Sequence, residues 1–255
     1  MCTVVLIHRV FRDRPLSLVA NRDELLDRPA EAPSVSAGSA LKVLAPRDLR
    51  AGGTWLGVNS ASVVVAITNR FGLRDDRRAS RGDLVRRALE KPAASEAVEE
   101  LARVDARAFN GFHLLMADPS SAWLIVGDGE RLEVSALAEG VHVVTERSLG
   151  AGDNRRELRV GAELRERVAR GAGLEELLAP LARHIALDGT EVEATEQTDP
   201  VASTCVHWPL LSYGTRSSTG IELGARPRIL HAEGAPCRTS YRALDAELTE
   251  LGLNS

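Results

Sequence analysis

The apolar residues of this chain change period in blocks, and the order of those blocks limits the folds open to it. The first 70 residues carry short runs bounded by turn residues, at Thr3 to His8, Leu16 to Asn21, Leu41 to Ala45, Thr54 to Val58 and Val63 to Thr68, which predict strands. Phe11 to Pro15 makes the first connection a hairpin, and Gly52-Gly53 marks a tight turn. Asp27 to Ser39, rich in Pro, Ser and Ala, reads as a long loop and a candidate pocket rim. The period changes at Ser80-Arg81-Gly82-Asp83, a capping-box pattern ahead of Leu84, Val85, Ala88 and Leu89, with a helical stretch broken near Pro92 and resuming through Leu101. Strands return at Gly111 to Ala117, Trp123 to Gly127, Leu132 to Ala136 and Val141 to Thr145, followed by helices at Asn154 to Ala169 and Leu174 to Ile185. Asp188 to Pro200 reads as a surface loop. Strands near Thr204 to Trp208, Ser217 to Glu222 and Ile229 to His231 then lead to a helix from Thr239 to Leu251. Separated blocks favour an α+β class over strict βαβ alternation. Two mainly antiparallel sheets sandwiched between helix layers, in one domain over 1–255, would bury both faces of each sheet.

Composition removes several functions. With 255 residues, 44% of them hydrophobic, the chain can bury a sizeable core. Its 32 basic residues, all arginine but Lys42 and Lys91, are interspersed with 36 acids for a net charge of −4, which argues against a nucleic-acid partner. His8 and Arg9 interrupt the first apolar run, so no export signal is read. The remaining runs fall far below the ~20 residues of a membrane span. The expectation is a cytoplasmic protein whose oligomeric state the sequence leaves open. Cys2, Cys205 and Cys237 are too few for a disulfide framework, and no Cys-x-x-Cys or paired Cys/His spacing suggests zinc. Cys205-Val206-His207 puts two reactive side chains on one strand face without an evident third ligand, and reads as core. Arg86-Arg87 and Arg155-Arg156 read as helix-surface charge.

Cys2 has a chemistry the other two lack. Removal of the initiator Met would leave it as the first residue, and a terminal α-amine with a pKa of roughly 7.7 to 8.0 can serve as base for a thiol near 8.5. The alternative is a small buried Cys opening the first strand. Asn21-Arg22-Asp23-Glu24 ends the second strand, which the hairpin folds back beside Cys2. Asp23 could hold the α-ammonium, Arg22 could favour the thiolate by charge and Asn21 could orient substrate. A regular strand sends Arg22 and Asp23 to opposite faces, so both serve one site only where the strand ends or bulges. A solvated charge cluster capping the hairpin is the alternative.

Several motifs occur together in order: Met-Cys at the start, Asn21-Arg22-Asp23-Glu24 then Arg28-Pro29, Arg47-Asp48, Gly52-Gly53-Thr54-Trp55-Leu56-Gly57, Thr68-Asn69, Ser80-Arg81-Gly82, and Tyr213-Gly214-Thr215-Arg216-Ser217-Ser218-Thr219. Nearly the whole chain thereby resembles the NRDE, or transport and Golgi organisation, family. That family in turn resembles the N-terminal nucleophile (Ntn) hydrolases, whose αββα layers include a bile-salt hydrolase and penicillin V acylase group that cleaves amides with a terminal Cys. The resemblance implies Cys2 as nucleophile, Asp23 as holder of its amine, Asn69 as an oxyanion donor and Arg216 as a positive charge beside the thiolate or a substrate carboxylate. Arg22 completes the catalytic set, with Asn21, Glu24, Trp55, Glu146 and Asn154 as substrate-binding candidates.

Two positions depart from that pattern. Acylases of the group carry an Arg three residues before the Asp, where this chain has Ala20; Arg22 keeps the same strand parity. Glu146 stands where many members have Asn and cannot donate to an oxyanion, leaving Asn154 as a substitute or a helix cap. The resemblance implies an amidohydrolase acting on a small acyl or amide substrate without metal or cofactor. The alternative it implies is a non-catalytic carrier of haem, lipid or acyl-CoA, with haem as a non-covalent ligand.

Overall fold

The computed structural model describes residues 2–37, 40–72, 74–193 and 198–254. The first block supplies β1 (Thr3–His8), β2 (Leu16–Leu25), β3 (Ala30–Ala37), β4 (Lys42–Asp48), β5 (Leu56–Asn59) and β6 (Val64–Asn69). Helices α1 (Gly82–Leu89) and α2 (Ala94–Leu101) follow, then β7 (Phe112–Ala117), β8 (Ala122–Gly127), β9 (Leu132–Ala136) and β10 (Gly140–Thr145). The second helical block is α3 (Arg155–Ala169) and α4 (Leu174–Leu178); β11 (His184–Ile185) and β12 (Glu191–Val192) make a small ribbon. The chain continues through β13 (His207–Trp208), β14 (Tyr213–Leu223), β15 (Arg228–Ala232), β16 (Arg242–Ala243) and α5 (Asp245–Leu251).

Two antiparallel sheets result. One runs β10-β1-β2-β14-β15-β16 with β13 on the end of β14; the other runs β3 through β9 in sequence order. Parity along β1 and β2 shows how they stack. Val4, Leu6, Leu18 and Ala20 face a core shared with Leu56, Val58, Val64 and Ala66 of the second sheet. Val5, Ile7 and Val19 face the other way, onto Val160, Leu164, Leu174 and Leu177 of α3 and α4. On the far side, Val65 and Leu114 pack on Leu84, Val85, Val98 and Leu101 of α1 and α2. The layers are therefore αββα, and strands covered on both faces read as continuous apolar runs.

Five local expectations change. The tetrad at 21 to 24 lies inside β2, which extends to Leu25. The Pro-rich stretch from Asp27 is largely β3, an edge strand whose pairing shifts between Glu31 and Ser34 around Pro33, as a residue without an N–H requires; 38 and 39 lie outside the described residues. Ser80 does not form a capping box: Arg81 is the N-cap of α1, without a side-chain cap bond, and Ser80 Oγ accepts from the Gly82 N–H at 3.3 Å. Helix α4 stops at Leu178, and the final helix begins at Asp245, after the short β16.

Gly52-Gly53 divides its work between its members. Gly52 adopts φ +75°, which favours glycine. Gly53 is needed for space, since a Cβ there would lie 2.7 Å from the backbone carbon of Gly82, so the turn and the start of α1 meet backbone to backbone. That contact fixes one wall of the cavity described next.

Candidate functional site

Cys2 precedes β1 at the open end of the two sheets, beside a cavity of about 610 Å³. Its parity places it with Val4 and Ala20 on the inter-sheet side, where Arg22 and Trp55 join it. The Thr3–Asn21 pairing brings the end of β2 alongside, and Cys2 Sγ lies 3.9 Å from the Asp23 backbone oxygen. Burial pushes the Cys2 thiol up, with Arg22 pulling weakly the other way. The charge of Arg22 therefore does not by itself produce a thiolate. The Arg22 guanidinium carbon lies over the Trp55 ring, 4.0 Å from its centroid, an aromatic anchor for a cation buried at this depth.

Asp23 points to the opposite face, as strand parity demands. Thr215 Oγ1 donates to its Oδ1 at 2.6 Å, while Oδ2 has no hydrogen-bond partner among the described residues and faces Arg156 Nη1 at 3.9 Å. Burial raises its pKa to about 6, against the opposing pull of nearby positive charge. The register of β14 shifts between Thr215 and Ser217, opposite Asp23 and Arg22. The irregularity expected near the tetrad is thus in the partner strand and aims Thr215 at the carboxylate.

Arg156 is the residue the sequence reading missed. It is 2% exposed, and its guanidinium reaches Glu146 at 3.5 Å and the carbonyl oxygens of Val201 and Pro200 at 3.0 and 2.5 Å. The expectation of surface charge fails because Arg156 continues the stripe of Val160, Leu164 and Val168 at four-residue spacing. An arginine on a core-facing stripe was the available signal.

The other candidates separate into two groups. Glu24, Trp55 and Asn69 line the cavity with Cys2, Arg22 and Asp23; Asn69 closes β6 on the facing sheet. Asn21 does not reach it: its Nδ2 donates to Leu181 O at 2.8 Å and Thr204 O at 2.9 Å on the helix side. Arg216 sits at the register shift and bonds Leu26 O, away from the cavity-lining set. Glu146 is buried against Arg156 and Arg147 behind the site. Asn154 is exposed ahead of α3 and makes no side-chain cap bond.

The cavity wall carries charge that no single motif announced. Arg28, Arg50, Arg74, Arg78 and Arg81 join Arg22 around it, facing Asp48 and Asp76. Arg28 is held by Asp48 at 2.7 Å, Arg78 by the carbonyls of Phe109 and Gly129 at 2.8 and 2.9 Å, and Arg81 by Gly111 O at 2.9 Å. Arg78 and Arg81, oriented by carbonyls, keep their charge for an anionic guest, whereas Arg28 and Arg74 are paired with Asp48 and Asp76. Tyr213 contributes a hydroxyl that donates to the Asp23 backbone oxygen at 2.8 Å.

Cys205, expected and found in the core, is a neighbour of Cys237, to which the sequence assigns no role. Cys205 and Cys237 Sγ atoms are 3.5 Å apart, and His207 and His184 stand beside them. Long-range folding, not local spacing, brings His184 and Cys237 to Cys205 and His207.

Comparison with known proteins gives the fold and the family. Penicillin V acylase from Agrobacterium tumefaciens superposes with a TM-score of 0.56 over 100% of this chain and 88% of its own, at 14% identity. A Caenorhabditis elegans ortholog of N-acylethanolamine-hydrolyzing acid amidase gives 0.56 over 87% and 92%, at 14% identity. Conjugated bile acid hydrolase from Clostridium perfringens gives 0.56 over 100% and 95%, at 11% identity. At such identities the likeness establishes an Ntn-hydrolase fold. A Bos taurus Transport and Golgi organization protein 2 homolog is 32% identical over 256 residues, 88% of this chain and 90% of the bovine one. Its Homo sapiens counterpart is 32% identical over 123 residues, 44% of each chain. With the family model of Transport and Golgi organisation 2 matching residues 1–233, an Ntn-hydrolase fold and these relatives at hand, the chain belongs to the Transport and Golgi organisation 2 family.

Proposed function

We propose that the protein is an Ntn-type amidohydrolase whose nucleophile is Cys2, freed by removal of Met1, and whose substrate is a small acyl amide bearing an anionic group. The observation that carries this is the pairing of Thr3 with Asn21, which puts Cys2 at the cavity floor with the buried Asp23 carboxylate on the other face of the same strand pair. Met1 lies outside the described residues.

The α-amine of Cys2 takes the thiol proton as sulfur attacks the carbonyl carbon, so a C–S bond forms without a permanently ionised thiol. That suits a thiol whose burial disfavours the thiolate. Asp23 Oδ2, which lacks a hydrogen-bond partner among the described residues, is available to the resulting ammonium. Asn69 and backbone N–H groups would stabilise the oxyanion. The C–N bond then breaks, the amine leaves with the ammonium proton, and water cleaves the thioester to acid and free thiol. The wall arginines supply binding energy for an anionic substituent.

The arginine wall over Trp55 and Ile67 also supports a second reading, a carrier for an apolar ligand with an anionic head such as haem or acyl-CoA. A cytoplasmic site of action accompanies either reading. Among the described residues no helix is long and apolar enough to cross a membrane. An acyl-amide panel run on wild type and Cys2→Ala separates the two: hydrolysis requires Cys2, whereas saturable ligand binding that survives Cys2→Ala, without turnover by wild type, favours the carrier.

A further inference from the structure

A second site lies behind the first, on the segment that holds Asp23 in place. His184, Cys205, His207 and Cys237 each present a ligand atom, and these four atoms all lie within 4.8 Å of one another. Cys205 Sγ is 3.6 Å from His207 Nε2 and 3.5 Å from Cys237 Sγ, and Cys237 Sγ is 3.2 Å from His207 Nε2. Around a tetrahedral zinc ion with Zn–S near 2.3 Å and Zn–N near 2.0 to 2.1 Å, ligand atoms stand roughly 3.3 to 3.8 Å apart, so these three edges need almost no rearrangement. His184 supplies the second, independent observation. Its side chain is buried, its ring lies 5.1 Å from that of His207, and neither ring nitrogen makes a hydrogen bond of ordinary geometry among the described residues. The Cys205 backbone approaches this ring without a hydrogen bond of ordinary geometry, and one nitrogen has no partner among the described residues, which is costly for a buried imidazole unless something else takes its lone pair.

We propose that these residues form a structural zinc site of the Cys2His2 type. Two thiolates and two imidazoles fill a tetrahedral shell, which leaves no open position for water and makes the site a brace rather than a hydrolytic centre. Binding one Zn²⁺ releases the two thiol protons and forms two Zn–S and two Zn–N bonds without any change of oxidation state. Cys237 is exposed in a turn, which gives the ion an entry path, while Cys205 is buried.

The site's position says what it would brace. Thr204 and Cys205 N–H groups both donate to Arg183 O at 3.1 Å, fixing the His184 strand to the Cys205 segment. The same segment accepts the Asn21 side chain at Thr204 O, and Val206 exchanges bonds with Thr215, donating to its Oγ1 and accepting from its N–H. Thr215 Oγ1 in turn donates to Asp23. A metal joining positions 184, 205, 207 and 237 would therefore hold the backbone that aims Thr215 at Asp23, whether or not Cys2 is catalytic.

The test uses the full chain without an affinity tag, purified under reducing conditions and dialysed. Elemental analysis should give about one zinc per chain in wild type and Cys2→Ala, and almost none in the Cys205→Ser/Cys237→Ser double variant. His184→Ala should weaken retention at least as much as the roughly 10- to 100-fold known for loss of even an outer partner of a metal ligand. Because the double variant could fail to fold, chelator-stripped wild type is also titrated with Co²⁺. The visible bands of tetrahedral thiolate-bound cobalt, saturating at one equivalent and displaced by Zn²⁺, support the site. No retained zinc and no such bands, equal zinc in the double variant, or a Cys205–Cys237 disulfide in the reduced preparation would overturn it.

Discussion

Cys2 and the Cys205–Cys237 pair put the same thiol in two settings, and the contrast separates reaction from bracing. Among the described residues no histidine and no second cysteine line the cavity at Cys2; its neighbours are Arg22, the Asp23 backbone and Trp55. Around Cys205 the opposite holds, with another sulfur and two imidazoles within 4.8 Å. A thiol without an external base needs one from its own residue, which only a terminal Cys has. A thiol crowded by three good ligands is suited to a metal. Both settings hang on β14: Thr215 reaches Asp23 from one side and Val206 from the other.

Substitutions at the two settings should therefore differ in kind. The largest effect is expected at Cys2, where Cys2→Ser should cut turnover of a responsive amide by more than about 1,000-fold while leaving the urea midpoint nearly unchanged. Arg156→Met should act on folding. It removes one partner of a buried ion cluster with Asp23 and Glu146, and should cost about 3 to 5 kcal/mol in urea unfolding. A cost below 1 kcal/mol would mean the cluster is not held by Arg156.

Asp23 gives a pH signature. Burial raises its folded pKa to about 6, so the carboxylate that would hold the ammonium is lost as pH falls through 6. Turnover should fall across that range, and Asp23→Asn should lower it by about 100-fold and remove the inflection. The stability effect has the other sign. Between the ordinary carboxylate value and 6 the folded state binds more protons than the unfolded one, so this group's contribution weakens as pH rises through that window. Gly53→Ala should cost about 1 to 3 kcal/mol, since its Cβ meets the Gly82 backbone at 2.7 Å. The smallest effect on turnover is expected from Cys205→Ser, less than about 10-fold, or 1.4 kcal/mol, alongside a lowered Tm.

The parts of this arrangement legible in the sequence are those that local spacing encodes. The turn at Phe11 to Pro15 brings the 21 to 24 tetrad beside Cys2, as the Thr3–Asn21 pairing bears out, and strand parity anticipates that Arg22 and Asp23 diverge. Asn21 was misplaced because proximity to Cys2 does not say which face a strand residue takes; its odd parity sends it to Leu181 and Thr204. Arg156 was hidden by its neighbour Arg155, which is exposed and made the pair look like surface charge. β3 was hidden by Pro33, tolerated only because the strand is at an edge. Of the His184, Cys205, His207 and Cys237 group only Cys205-Val206-His207 has a local spacing; His184 and Cys237 come from separate segments about 20 and 30 residues away, so the other two ligands leave no mark in the sequence.

Whether Cys2 is the reacting terminal residue is decided by intact and peptide mass spectrometry of the chain quenched during turnover of a slow acyl amide or activated ester. The expected result is a chain lacking Met1, with the acyl mass on the peptide that begins at Cys2 and absent from those containing Cys205 and Cys237. A chain that keeps Met1 and turns substrate over undiminished, or an acyl group carried by Cys205 or Cys237, would contradict it.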